Sequence, residues 1–211
     1  MLASIWLEER MNNDCLSVLT LCNLITKILN DSVLLERVAS VSYKHQLGFE
    51  KYILSSESSG YIRIHFWPTV DSERMEDVHS HCSAFVSKVL CGQLTSQSYR
   101  FVSGDRFLAY CYKFDEVSGK SVMHSASPVS IEMIREEVKT QGDEYFVGFG
   151  VLHKVINVAP GTLTMSKWGP RLSKAVVVKS SDDPIEESVR FAGMDAVEVR
   201  ERLSYIKELV Q

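Results

Sequence analysis

The sequence predicts a mainly β fold, a jelly roll or double-stranded β-barrel with helices at its N-terminal and C-terminal ends. Three observations carry that expectation. Between residues 41 and 183 the chain runs in short segments rich in Val, Ile, Tyr and Phe, divided by Ser, Gly, Asp and Pro. This is the texture of antiparallel strands joined by turns. Gly60, Gly92, Gly104, Gly119, Gly142 and Gly161 fall between or beside those segments, where turn residues belong. Outside this region, apolar residues recur at helical spacing instead.

Taken in order, the apolar positions Leu16, Leu19, Leu24, Ile25 and Ile28 predict a helix over about Asp14–Leu29, broken by Asn30-Asp31, and Val33–Val38 predicts a second, shorter one. The expected strands are Glu50–Ser55, Tyr61–Trp67, Asp77–His81, Phe85–Leu90, Gln93–Phe101, Arg106–Phe114, Tyr145–Val147, Val151–Val158, Thr162–Lys167 and Lys174–Val178. Ser130–Lys139 reads as helix by its glutamates and as strand by its position, and is left open. From Pro184 a last helix is expected, with Met194, Val197, Leu203, Ile206 and Val210 as its apolar stripe and Arg200, Glu201, Lys207 and Glu208 on the wet face. The organisation is therefore a helical extension (1–40), a β-barrel (41–183) and a C-terminal helix (184–211) in one globular unit, for which 211 residues at 45% hydrophobic content suffice.

Composition narrows the function classes. A net charge of −4, with no run of Lys or Arg, gives no electrostatic pull toward nucleic acid or an anionic membrane, so neither is expected as a partner. The apolar stretch Leu16–Leu29 follows Glu8, Glu9 and Arg10 and is interrupted by Asn23 and Lys27, which fits neither a signal peptide nor a membrane span. Cys15, Cys22, Cys82, Cys91 and Cys111 are odd in number and form no CxxC pair, which points to a reducing, cytoplasmic setting. There is no Gly-x-Ser-x-Gly elbow, and Ser58-Ser59-Gly60 lacks the glycine spacing and the following Lys of a phosphate loop. Glu186-Glu187 reads as helix-start charge.

The chemistry-bearing stretch is Val78-His79-Ser80-His81. On a strand, residues two apart share a face with Cα atoms roughly 6.5 Å apart, within reach of one metal ion. His-x-His alone is equally a pair of structural histidines. A second stretch, Gly142 to Asn157, supplies turn glycines at Gly142, Gly148 and Gly150, followed by His153 on a strand. A third imidazole for the same ion is thereby suggested. Neutral imidazole suits Fe(II), Zn, Ni, Mn or Cu, so the ligands do not choose the metal.

Together the two stretches resemble the paired motifs of the cupin superfamily over about residues 43–171. In the first motif His79, His81 and Gly92 fit, with Phe85 where an acidic ligand would stand. In the second Gly142, Gly150, His153 and Asn157 fit, with Gly148 replacing a Pro. Three histidines without the acid resemble the cysteine dioxygenase-like branch, whose iron is held by three imidazoles. Lys51 is the nearest equivalent of the Arg that binds substrate carboxylate in that branch. The positions of its Cys–Tyr crosslink read Phe85 or Val86 and Trp168, and its Ser-x-His-x-Tyr run reads Thr164-Met165-Ser166-Lys167-Trp168.

The resemblance implies a mononuclear non-haem Fe(II) oxygenase acting with O₂ on a small anionic substrate such as a thiol or amino acid derivative. The alternatives are a non-catalytic small-molecule- or metal-binding cupin and a non-redox isomerase or lyase using another metal. Lys51 and Arg171 are the expected carboxylate anchors, with Arg63 and His65 lining the pocket if their face of the strand points inward. His45 is ambiguous, His124 is expected in a solvated loop, Trp168 reads equally as a mouth residue or a packed turn, and Cys82 is expected on the face opposite His81. Oligomeric state stays open.

Overall fold

Side-chain alternation along the strands sorts this chain into layers, two antiparallel sheets with helices on the outer side of one of them. The structure is a computed structural model that describes residues 16–45, 48–57, 60–69, 76–115, 120–171, 174–180 and 193–211. Its helices are α1 (Val18–Leu29), α2 (Ser32–Val41) and α3 (Ala196–Leu209). Each starts at a side-chain cap: Ser17 Oγ accepts from Thr20 N at 3.1 Å, Asp31 Oδ1 from Val33 and Leu34 N at 3.0 Å, and Asp195 Oδ1 from Val197 N at 2.7 Å. Caps of this kind contribute ~1 kcal/mol each.

The strands are β1 (Tyr43–Lys44), β2 (Glu50–Glu57), β3 (Gly60–Trp67), β4 (Val78–His79), β5 (Phe85–Cys91), β6 (Gln93–Asp115), β7 (Lys120–Thr140), β8 (Glu144–Val147), β9 (Leu152–Ile156), β10 (Thr162–Trp168) and β11 (Lys174–Ser180). They form a six-stranded sheet ordered β1-β2-β3-β10-β5-β8 and a five-stranded sheet ordered β11-β4-β9-β6-β7. β7 pairs along one edge of β6, whose other edge pairs first with β9 and then with β11. The short β4 bridges β9 and β11.

In the six-stranded sheet Tyr52, Leu54, Ile64, Phe66, Leu163 and Met165 form one face, buried with Leu21, Ile25, Ile28, Val199, Leu203 and Ile206 of the helices. The alternate positions, Lys51, Arg63, His65, Ser87, Thr164, Ser166 and Trp168, therefore face the second sheet. There Arg63, Ser87, Thr164 and Ser166 are buried although polar. An ion pair between half-buried Arg202 and buried Glu50 links the helical layer to this sheet: Arg202 of α3 meets Glu50 Oε2 at 2.9 Å, and Tyr52 Oη donates to the same oxygen at 2.8 Å.

Several expectations are corrected. The two strands expected over 93–114 are one strand, β6, and Gly104 lies inside it at φ +139°. Its register against β7 jumps from Val102↔Ser130 to Phe107↔Val129, so residues 103–106 bulge out. Only glycine fits there, since a Cβ would stand 2.3 Å from Ser130 Oγ. Ser130–Lys139 is strand, part of β7, and leaves Met133, Ile134 and Val138 exposed, so neither period is imprinted on it. His124 lies on β7, with Lys113 Nζ 3.2 Å from its Nε2.

The helical stripes also shift by a residue or two. Leu19 and Val197 are exposed, and Leu21 and Val199 take their places in the core. Val197 falls in the first turn after its Asp195 cap, which aims it outward. The expected helix start at Pro184, with Glu186-Glu187, and residues 14 and 15 lie outside the described residues. No single described helix is long and apolar enough to cross a membrane, although α1 and α2 pass that test together across a 110° bend.

Leu203→Ala should lower the unfolding free energy by about 2–5 kcal/mol in urea denaturation, as expected for a large fully buried side chain. Val197→Ala, three-fifths exposed on the same helix, should stay within about 0.5 kcal/mol of the parent.

Candidate metal centre

Strand pairing builds the site. His79 on β4 lies directly opposite His153 on β9, so their Cβ atoms are neighbours across the ladder. The residue before each, Val78 and Leu152, is buried in an apolar cluster with Ala109 and Val178. Alternation then turns both imidazoles the other way, into the space between the sheets. β4 ends at His79, earlier than expected, and residues 80–84 bend back. His81 consequently reaches the pair from the bend and not from a shared strand face.

The three rings converge. Their centroids are 4.6 Å (His79–His81), 4.7 Å (His79–His153) and 4.9 Å (His81–His153) apart. One ligand atom from each lies within 4.8 Å of the others. His79 Nε2 and His81 Nε2 are 3.2 Å apart. Two donors bound at about 2.1 Å with an angle near 100° between them have that separation. The backbone carbonyl of Asp77 can only accept, so His79 Nδ1, 2.9 Å away, donates to it and leaves the Nε2 lone pair free to face the other rings. Both ring nitrogens of His153 are buried without a hydrogen-bond partner. Orphaned buried nitrogens of this kind are rare and costly.

Burial and neighbouring charge keep His81 and His153 neutral. Burial, then His79, pushes His153 down to about 3, and burial with His79, His153, Arg63 and Lys51 holds His81 well below the usual imidazole range. Above such values the lone pairs are available to a cation.

Beside the trio lies a cationic wall. Trp168 packs edge-on against His81 at 4.8 Å and stacks on Phe85 at 4.2 Å. Arg63 Cζ sits 3.6 Å above the Trp168 ring, and its Nη2 donates to Tyr61 Oη at 2.6 Å. Lys51 donates to Tyr43 Oη at 2.8 Å. Among the described residues no carboxylate lies within ion-pair distance of Lys51 or Arg63, and Arg63 Nε is buried without a partner. Burial first, then Arg63 and Arg171, drives Lys51 well below its usual value. Burial likewise lowers Arg63.

The expected site residues thus divide. His79, His81 and His153 come together, and Arg63 joins them through Trp168. Lys51 and the exposed Arg171 act on Arg63 and on each other through their charges. His65 belongs to a separate aromatic group with Phe49 (5.0 Å) and Trp67 (5.9 Å), and His45 stacks on the same Phe49 at 4.4 Å. Burial lowers His65 far below the imidazole range and His45 to about 4. Trp168 is a core residue, 2% exposed, and not a mouth residue. Cys82 is half-buried in the bend that follows His79. One group escaped the sequence reading altogether. Glu76, three residues before His79, places Oε1 3.9 Å from His79 Nε2.

No family model matches the chain, and no curated protein matches it. Solved structures similar to it include KdgF from a Halomonas species, at 10% identity over 62% of this chain and 87% of that one, TM-score 0.36. An RmlC-like cupin from Shewanella frigidimarina shows 18% identity over 63% and 86%, TM-score 0.34. CapF, a capsular polysaccharide assembling protein from Staphylococcus aureus, shows 12% identity over 73% of this chain, which spans only 32% of CapF, TM-score 0.36. Likenesses this distant assign no chemistry.

The Arg63→Met substitution should leave stability unchanged or raise it by about 1–3 kcal/mol in urea denaturation. A buried charge without a counter-ion costs several kcal/mol, more than the ~2 kcal/mol a desolvated cation–π contact returns. A loss above 2 kcal/mol would instead make Arg63 a structural group.

Proposed function

We propose that His79, His81 and His153 hold one divalent metal, Fe(II) first among the candidates, and that the chain is an oxygenase for a small anionic substrate such as a thiol or amino acid derivative. The observation that carries this reading is His153. Its two nitrogens are buried and unpartnered, yet one of them lies within 4.8 Å of ligand atoms on two further imidazoles. A metal would satisfy all three lone pairs at once. Bound Fe(II) would supply the means of activating dioxygen beside the substrate.

The chain's own part is binding and exclusion of water. Arg63, oriented by Trp168 and Tyr61, offers its unpartnered Nε toward a carboxylate. Lys51 adds a second positive charge but no bidentate fork. Phe85 and Trp168 stack where the resembled branch carries its Cys–Tyr crosslink, so that covalent link has no counterpart in these two side chains. Burial of Phe85, Trp168 and Val147 keeps that wall dry.

Protein purified without added metal, then loaded with Fe(II) under anaerobic conditions, should take up one equivalent per chain. The His153→Ala variant should bind it more than about 100-fold more weakly. Full occupancy in that variant overturns the ligand assignment. O₂ uptake over a panel of small thiols and amino acids should follow one class of substrate. Bound iron without uptake favours a non-catalytic binding protein, and turnover under strict anaerobiosis favours a non-redox isomerase or lyase.

A further inference from the structure

We infer that Glu76 supplies the acidic ligand of this metal centre, from three residues before His79 and not from the position after His81 that Phe85 occupies. The assignment rests on the three-imidazole site proposed above. Three features of the structure lead to it.

The first is position. Glu76 Oε1 lies 3.9 Å from His79 Nε2, the nitrogen that carries the free lone pair. Two donors on one divalent ion at about 2.0–2.2 Å are separated by up to about 4.4 Å. Oε1 is thus within reach of an ion bound at His79; Glu76 is not among the residues whose ligand atoms already lie within 4.8 Å of one another, so its carboxylate would turn toward His81 and His153 on binding.

The second is bracing. Glu76 Oε2 accepts from Val155 N at 2.5 Å, two residues after His153 on β9. The strand that carries one imidazole thus also fixes the carboxylate, leaving Oε1 to turn toward the cation. Supporting bonds of this kind orient ligating carboxylates.

The third is charge. Arg63 stacks on Trp168 at 3.6 Å, and that ring packs edge-on against His81 at 4.8 Å, so a buried guanidinium stands beside the three imidazoles. A divalent ion held by neutral imidazoles alone would be repelled by that charge. Phe85 lies against His81 and His153, at 5.3 and 6.0 Å between ring centroids, and offers no charge. Glu76 is the acid whose carboxylate offsets it, leaving the cationic wall free for an anionic substrate.

Co(II) affinity, by competition with a chelator, and the visible spectrum of the Co(II)-loaded protein test this on the full chain. Glu76→Gln keeps an acceptor for Val155 N and removes the charge. It should bind Co(II) at least tenfold more weakly, with shifted visible bands, while far-UV circular dichroism and urea midpoint stay near the parent's. The bands respond to atoms bound to the metal, so a merely structural role would leave them in place. Glu76→Asp, which retracts the carboxylate by one methylene, should give a smaller loss and serves equally if the Gln variant does not fold. Parent-like affinity and spectrum in either folded variant overturn the assignment of Glu76 and leave the three histidines standing. A parent chain that takes up no Co(II) overturns both.

Discussion

The register of a two-residue strand governs the interior of this protein. β4 is held on one side by β11, where His79 faces Val177, and on the other by β9, where His79 faces His153. Its neighbour Val78 is packed in the apolar cluster with Leu152 and Val178, which fixes the parity of both strands. A slip of one residue would put imidazole into that cluster and valine into the space between the sheets. The apolar cluster on the outer side therefore does more to aim the histidines than any contact they make themselves.

The two faces of the six-stranded sheet carry opposite burdens. One is apolar and sealed by the helices, with Leu21, Ile25, Leu203 and Ile206 fully buried against it. The other carries Arg63, Ser87, Thr164 and Ser166, also buried. Polar groups out of water are costly unless matched. Some are matched internally, as where Trp168 Nε1 donates to Ser166 Oγ at 2.8 Å. Arg63 Nε and the His153 nitrogens are not. Cost concentrated at unmatched groups that face one space is the physical signature of a binding site, where a ligand supplies the missing partners.

Neutral bases and fixed cations share that space. Lowered imidazoles near unpaired Lys51 and Arg63 are a poor arrangement for an empty core, since each positive charge raises the cost of the next. They suit a cation bound on lone pairs beside an anion bound on ammonium and guanidinium. The Trp168 ring separates the two, touching His81 on its edge and Arg63 on its face.

Alternating Val, Ile, Tyr and Phe, turn glycines and the His-x-His spacing were enough to read a two-sheet β fold, its terminal helices and three histidines worth testing, because strand period and turn chemistry are local properties. The same local rules failed where context decided. The Gly104 bulge is invisible as such because it depends on Ser130 across the ladder, and Ser130–Lys139 carries no period because most of its side chains are exposed, apolar ones included. Parity alone left the face of Arg63 and His65 open; the helices settled it by covering Ile64 and Phe66. Glu76 lies at no spacing that marks a ligand, and only the meeting of β4 with β9 brings it within reach of Val155. What residues do one or two positions apart is written in the sequence. What they do across seventy positions depends on which strands pair, and that is decided by the burial of the whole chain.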